Sequence, residues 1–394
     1  MPSLLSKILR KIEGEQKPPP LPLPPNGPVD IVTPASLADR AAIANSPLFQ
    51  RLPSEIRRLI LIEAFGDRGL HVDLSLEYPT TQQHHHHHHS KLTSHEALTA
   101  TEPLHANVHL LRDKHRHQHT NKPRRWEWWG CVCHRSMRSW KTPADVLPWM
   151  DPPSEDSCRN PYQEQYCTYL PAKIPCTCNI GALGWLLTCR QAYVEGIDVL
   201  YGTNTLHINK TYLCRSLPDL FPSTILRKIR AVELLWALNP WDKAGKEDKF
   251  PPDPNMVEFE AMLDALPATL PNLKHLYLSL HGDLMPPGAS INSQKLTDCT
   301  QSLLRLVDAM VSRFDKLEEG RVALPFTLLL TVNTEFARRV PMYDWLFGVE
   351  NIPGPVWRHL PDDLVRERGG KRIKGYWVCL GKRDVGTYYI RESS

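Results

Sequence analysis

The chain has 394 residues, 41% hydrophobic and 23% charged, which are the proportions of an ordinary globular protein. Its net charge of +4 is too small to indicate nucleic-acid binding alone, and ten cysteines in a chain this long exclude a small secreted disulfide scaffold. No segment has a signal-peptide pattern, and the longest apolar stretch contains Arg190 and Glu195, so it does not predict a membrane span. We therefore expect an intracellular protein, cytoplasmic or nuclear.

Residues 1–45 are rich in proline and are predicted to be a disordered N-terminal segment. Apolar residues at helical spacing within 5–12 are typical either of a helix on a membrane surface or of a frayed terminal helix. The prolines of Lys17–Pro28 favour polyproline II. This stretch could be a ligand for an aromatic-lined groove or a stiff spacer.

The first predicted folded element is a helix over 53–65. Pro53 suits a first helical turn, Glu55 complements the positive helix end, and Gly66 suits the position after the last turn. Apolar residues at intervals of three and four predict a buried stripe formed by Ile56, Leu59, Ile60 and Ala64. Further apolar residues widen the stripe, so we expect the helix to be buried on most sides. The alternation in "LHVDLSLE" predicts a strand over 70–77.

From about 78 to 180 the periodicity is lost, which predicts a long low-complexity insertion. Six consecutive histidines, His84–His89, lie in this polar stretch. The following segment, "RDKHRHQHTNKPRRWEWW", is basic with aromatic neighbours, as nucleic-acid surfaces are. Its charges have no helical or strand period, so a solvated loop is predicted instead.

Order returns with a predicted helix over 184–201, followed by a short strand in "NTLHI". Gly196 disfavours a helix interior, so we expect another element to pack closely against it. The sequence thus repeats a helix–glycine–strand pattern on both sides of the insertion. We predict that the two helices pack together and that the two strands, each containing Leu-His, belong to one sheet.

The remaining chain alternates between strand-like and helix-like segments. Strands are predicted at 229–238, 273–282 and 325–333, helices at about 255–266 and 294–317, and a hairpin over 375–392. The predicted fold class is mixed α/β, a single domain over 46–394. It combines the split helix–strand unit, irregular β-α units with a small, mostly parallel sheet, and the C-terminal hairpin.

Two segments, "LPSEIRRLILIEAFG" and "LLTCRQAYVEGIDVLYGTNTLHI", resemble a large fungal family of uncharacterised proteins that is F-box-like at its start. The resemblance covers roughly 46–240, so the split unit is predicted to be F-box-like. F-boxes open with Leu-Pro-x-Glu and then Ile or Leu, and later carry a Val-Cys-Arg-x-Trp-like helix. The corresponding residues here are Leu52, Pro53, Glu55 and Ile56, and then Thr188, Cys189, Arg190 and Tyr193.

The resemblance implies a partner-binding helix and brings no catalytic residue or cofactor. An F-box binds the Skp-type adaptor of a cullin ubiquitin ligase. The residues predicted to bind a protein partner here are Leu52, Pro53, Glu55, Ile56, Leu59 and Ile60. The alternative is that the same side chains are ordinary buried helix contacts.

The sequence contains no catalytic signature, so we expect a protein that is not an enzyme. A Gly-rich phosphate loop, a Gly-x-Ser-x-Gly nucleophile elbow and a His-Glu-x-x-His motif are all missing from it. Its serines, histidines and aspartates are scattered, and no spacing pairs them.

The one chemically suggestive cluster is a set of cysteines within the insertion. Six lie within 48 residues, with His134 beside them: Cys131, Cys133, Cys158, Cys167, Cys176 and Cys178. Four thiolate or imidazole ligands could hold zinc and organise the loop. Cys-x-Cys is less typical of zinc sites than Cys-x-x-Cys, so reduced free thiols are the alternative.

Three function classes follow. We expect first a non-enzymatic protein-interaction protein, a scaffold or recognition protein with no required cofactor. The alternative is an F-box-like substrate adaptor of a cullin ubiquitin ligase. A zinc-stabilised nucleic-acid-binding protein is the more distant third.

Overall fold

The computed structural model describes nine parts of the chain: residues 45–77, 125–133, 180–209, 211–238, 256–282, 284, 294–332, 355–364 and 375–381. The predictions for residues 1–44, for the six histidines and for four of the six cysteines lie outside them. None of the helices in these parts is long and apolar enough to cross a membrane.

The helices of the described residues are α1 Pro47–Arg51, α2 Ser54–Phe65, α3 Ala182–Leu186, α4 Arg190–Gly202, α5 Thr211–Arg215, α6 Leu217–Leu220, α7 Ser223–Leu226, α8 Met256–Thr269, α9 Gln294–Val311 and α10 Phe326–Val332. The strands are β1 Gly69–Glu77, β2 Arg125–Val132, β3 Thr205–Ile208, β4 Ala231–Ala237, β5 His275–His281, β6 Glu319–Leu324, β7 Val356–His359 and β8 Gly375–Leu380.

The strands of the described residues form one eight-stranded sheet in the order β2-β1-β3-β4-β5-β6-β8-β7. The six strands β1, β3, β4, β5, β6 and β8 run parallel, and β2 and β7 pair antiparallel at the two edges. The mixed α/β class and the mostly parallel sheet are therefore confirmed. The predicted pairing is confirmed as well, because Leu70 and His71 lie beside Leu206 and His207.

Even-numbered strand residues build the hydrophobic core. Successive side chains on a strand point to opposite faces, and one face here carries Leu70, Leu206, Val232, Leu276 and Val322. These residues belong to a large buried cluster with apolar residues of the described helices α5–α10. Helices α5–α10 therefore cover the apolar face, and the odd-numbered residues occupy the other face of the sheet.

Helix α9 is tied to the edge of the sheet by one buried carboxylate. Arg358 of β7 donates two hydrogen bonds to Asp308, Nε to Oδ1 at 2.9 Å and Nη2 to Oδ2 at 2.7 Å. The Tyr376 hydroxyl of β8 donates to Asp308 Oδ1 at 2.9 Å. Burial and the charge of Asp308 raise the pKa of Tyr376 well above its ordinary value, so the phenol stays protonated as a donor.

The structure of residues 319–332 differs from the one predicted from the sequence. The expected strand at 325–333 is wrong, because the residues Phe326–Val332 form helix α10, and the strand is β6, immediately before it. A short apolar run such as "FTLLLTV" fits a buried helix as well as a buried strand. Pro325 decides between them, because it starts a helical turn in which its carbonyl accepts the N–H groups of Leu328 and Leu329.

Strands β2 and β7 were not predicted. The solvated loop expected over the basic–aromatic stretch is wrong for Arg125–Val132, which pairs with β1 along its whole length. Of the predicted C-terminal hairpin, Gly375–Leu380 is confirmed as strand β8. Its antiparallel partner in the described residues is the earlier strand β7, and residues 382–392 lie outside the described part.

The predicted helix over 184–201 is two helices. Helix α3 ends at Leu186, and α4 begins after Cys189, whose sulfur accepts the N–H of Ala192 at 3.4 Å. The expected close packing at Gly196 is confirmed, since a Cβ there would lie 2.6 Å from Leu186 and 2.7 Å from Trp185. Gly196 therefore allows α3 to fold back onto α4.

Candidate functional site

Helix α2 carries the residues predicted to bind a partner, and it packs where the sequence predicts, against α4. Leu61 and Phe65 of α2 form a small core with Ala182 of α3 and Val199 of α4. Helix α1 joins this unit through Phe49, whose ring lies 5.8 Å from that of Trp185 in α3. Four helices from both sides of the insertion thus form one helical unit.

Arg57 anchors the inward side of α2. Its guanidinium donates to both carboxylate oxygens of Glu195 in α4, Nε at 3.0 Å and Nη2 at 2.5 Å. The third nitrogen, Nη1, donates to the carbonyl of Leu52 at 2.6 Å. The guanidinium carbon lies 5.3 Å from the ring centre of Phe49 in α1. One side chain therefore fixes the start of α2, helix α1 and helix α4 relative to one another.

Glu195 is held as a carboxylate. Burial alone would raise its pKa, but hydrogen bonds from Arg57 and Gln191 outweigh burial and lower the pKa below the ordinary value. Gln191 Nε2 donates to Glu195 Oε1 at 2.6 Å from one turn earlier in α4. The ion pair is thus intact at neutral pH.

The predicted phase of α2 is wrong by about one residue. The buried residues of the helix are Arg57, Leu61 and Phe65, spaced by four, whereas Ile56, Leu59 and Ile60 are 43%, 61% and 46% exposed. These three exposed residues form what we call the outward face of α2. Their spacing places them side by side on the helix surface. The expectation that α2 is buried on most sides is therefore wrong.

The other predicted partner-binding residues also lie at the surface. Pro53 and Glu55 are exposed and Leu52 is half-buried. Pro53 precedes the first turn of α2, and Glu55 lies within that turn. The structure therefore brings all six of the predicted residues together around the start and the outward face of α2.

The segment "LLTCRQAYVEGIDVLYGTNTLHI" meets the segment "LPSEIRRLILIEAFG" despite their separation in sequence. Thr188 and Cys189 form the junction between α3 and α4, and Arg190 and Tyr193 lie in the first turns of α4. The Thr188 hydroxyl donates to the Trp185 carbonyl at 2.8 Å. The Arg57–Glu195 contact joins residues 138 positions apart. The insertion therefore separates the two segments along the chain but not in space.

A row of polar residues crosses the odd-numbered face of the sheet. The pairing places His71, His207 and Glu233 on three adjacent parallel strands, all essentially buried. His207 Nδ1 lies 3.0 Å from Glu233 Oε2, and the two imidazole rings are 4.6 Å apart. The shared Leu-His pattern, which predicts that these two strands pair, is the signal that places His71 beside His207, and no pattern in the sequence indicates Glu233.

This histidine–glutamate row has no metal-ion geometry. Within the described parts of the chain, no group of three histidine, cysteine, aspartate or glutamate residues is arranged to hold a metal. Burying charged groups is costly unless they are paired, and the contact between His207 and Glu233 supplies such pairing. The row thus contributes to the interior of the sheet.

Two of the six cysteines predicted as zinc ligands lie in the described residues. Cys131 is in β2 and pairs with His71 of β1, and Cys133 follows the strand and is buried. The Cys133 N–H donates to the Gly69 carbonyl at 2.7 Å. Cys158, Cys167, Cys176 and Cys178 lie outside the described part, so zinc binding stays a prediction.

Comparison with known protein families identifies the family of this chain. Residues 41–336, about three quarters of the sequence, match the family described as "Domain of unknown function (DUF7730)". The chain belongs to the DUF7730 family. The DUF7730 region begins before α1 and includes helices α1 to α4 and every strand from β1 to β6. No curated protein and no solved structure matches the chain.

Proposed function

We propose that this chain is a non-enzymatic protein-interaction protein that binds a partner protein through the outward face of α2. The observation that supports this proposal most is the exposure of Ile56, Leu59 and Ile60 on a helix whose other side is locked in place. Large apolar side chains left side by side in water are a typical feature of protein-binding surfaces. An apolar helix face presented at spacing i, i+3 and i+4 is a common way in which a helix occupies a partner's groove.

The partner that we favour is a Skp-type adaptor of a cullin ubiquitin ligase. Leu52, Pro53, Glu55 and Ile56 resemble the start of an F-box, and the second F-box-like segment packs next to them through α4. The adaptor would bury the outward face of α2, and the β-α part of the chain would present a surface for a substrate. Our general proposal is a protein-interaction protein, and its specific form is a substrate adaptor of a ubiquitin ligase.

Co-expression of the full chain with a Skp-type adaptor tests this specific form. We expect the two proteins to co-purify as a stoichiometric complex. Leu59→Glu should weaken the complex roughly tenfold or more, because a carboxylate would lose its water in the apolar contact. Val257→Glu is the matched control, since Val257 is 73% exposed on α8. It should leave binding unchanged.

Two outcomes would count against the adaptor. A failure of the unsubstituted chain to bind the adaptor contradicts the specific form. Equal weakening by Leu59→Glu and Val257→Glu contradicts the placement of the contact on α2. Both variants should keep the thermal unfolding of the parent chain, because substitutions at exposed positions change stability by about 0.5 kcal/mol or less.

A further inference from the structure

A second surface lies where the parallel strands begin, and it is strongly basic. A cleft of about 710 Å³ opens between α2, α4 and the loops that lead into β4, β5 and β6. Six cations line it: Arg58, Arg227, Lys228, Arg230, Lys274 and Lys316. Asp198 is the one carboxylate among its lining residues, all of which the structure describes. We call this surface the basic cleft.

Only part of this positive charge is neutralised within the described residues. Lys228 contacts Asp198, and Lys274 contacts Glu318. Arg58, Arg227 and Arg230 form no ion pair with another described residue, and the Lys316 ammonium donates to the neutral amide oxygen of Asn272 at 2.5 Å. Lys274 and, at longer range, Arg230 lower the pKa of Glu318, so Arg58, Arg227 and Lys316 are the three cleft cations for which the described residues provide no carboxylate partner. Like charges brought together repel one another, so this arrangement favours an anionic ligand.

The backbone beneath these side chains is rigidly connected. The Arg230 carbonyl accepts the N–H of Lys274, and the Lys274 carbonyl accepts the N–H of Glu318, both at 2.8 Å. Asn272 links two of the loops, because its Nδ2 donates to the Arg227 carbonyl at 2.6 Å. Five of the six cations are therefore carried by loops that hydrogen bonds connect to one another, and Arg58 is carried by α2.

The side chains that line the basic cleft indicate which type of ligand it can bind. A volume of about 710 Å³ lies in the range of small-molecule sites. The lining residues include no aromatic side chain on which a nucleobase could stack and no aliphatic side chain for an apolar group. Arginine guanidinium groups match phosphate oxygens in bidentate geometry. Cations that converge from several loops suit a ligand whose phosphates point in several directions.

We propose that the basic cleft binds a compact small molecule that carries several phosphate groups. The site would use Arg58, Arg227, Arg230 and Lys316 as phosphate contacts. Lys228 and Lys274 would add positive charge from within their existing pairs. This activity is separate from the binding of a protein by the outward face of α2, because Arg58 is the one α2 residue among the cleft's described lining and the apolar residues of the outward face do not line it.

Calorimetric titration of the full chain tests the proposal, with myo-inositol hexakisphosphate and inorganic tripolyphosphate as probes. In salt at about 150 mM, where long-range attraction is screened, we expect a dissociation constant of roughly 100 μM or tighter. Arg230→Gln should weaken binding roughly tenfold, since it removes a charge-assisted contact. Arg305→Gln removes one exposed arginine from α9 outside the cleft, and it should change binding less than about twofold.

Several results would overturn this assignment. Absence of binding to both probes, or equal weakening by Arg230→Gln and Arg305→Gln, contradicts the cleft as a site. Equally tight binding of an oligoglutamate peptide would show a general attraction for anions. Competition by a single-stranded oligonucleotide at equal phosphate concentration would show a nucleic-acid surface. Thermal unfolding of both variants is the folding control, and both residues are exposed.

Discussion

Arg57 and Glu195 hold the proposed binding helix in position. The pair joins α2 to α4 across the insertion, and Arg57 also fixes the residue before Pro53 through the Leu52 carbonyl. Because both side chains are largely removed from water, loss of one partner leaves the other with an unmet hydrogen-bonding requirement. A defect at either residue would therefore change the orientation of the outward face of α2.

Glu195→Gln should lower the free energy of unfolding by about 1.5–3 kcal/mol at neutral pH, the range for a hydrogen bond to a charged group. Because the folded-state pKa of Glu195 is lowered, its stabilising contribution is complete above the ordinary glutamate pKa of about 4.3 and is lost as the pH falls through the folded value. Urea unfolding at several pH values measures the difference, which should shrink below about pH 4.

The control for this measurement is Glu260→Gln, an exposed residue of α8. It should change the free energy of unfolding by about 0.5 kcal/mol or less at every pH. A pH-independent difference for Glu195→Gln would show that the Glu195 charge contributes nothing to the contact.

At the scale of the element, α2 shows what periodicity can and cannot predict. Its existence and limits follow from Pro53 and from an apolar run long enough for three turns. Its rotation does not, because "LILIEAF" offers apolar residues on several sides. The residue that fixes the rotation is Arg57, and its partner Glu195 lies 138 positions away. No local pattern contains that information.

Neighbouring alanine substitutions test the observed rotation of α2. Leu61 is 3% exposed and Ile60 is 46% exposed. Leu61→Ala should cost about 2–5 kcal/mol of unfolding free energy, because it leaves a cavity in the core shared with α3 and α4. Ile60→Ala, expected from periodicity alone to cost as much, should cost about 0.5 kcal/mol or less. Chemical denaturation of both variants measures this, and a larger loss for Ile60→Ala would contradict the rotation.

At the scale of the whole molecule, pairing of the two Leu-His strands is the part of the fold most accessible from sequence. Each of the two strands follows a helix, and each carries an apolar residue that must be buried on the same face of the sheet. Groups of residues that lie far apart in the sequence could not be predicted in this way. The basic cleft combines residues from Arg58 to Lys316, and the histidine–glutamate row combines residues from three separate strands. Their composition depends on the strand order, which sequence periodicity does not specify.

Site-specific photocross-linking tests the central claim most directly. A photoreactive amino acid is placed at Leu59 or, as the control, at Val257 of the full chain, and the partner protein that becomes cross-linked to the chain is identified. That partner is then purified by itself and mixed with the full chain to test whether the two bind. We predict a cross-link to one protein from position 59, none from position 257, and loss of the former in the Ile60→Glu variant. Equal cross-linking from both positions, or no binding after mixing, would contradict a partner-binding role for α2.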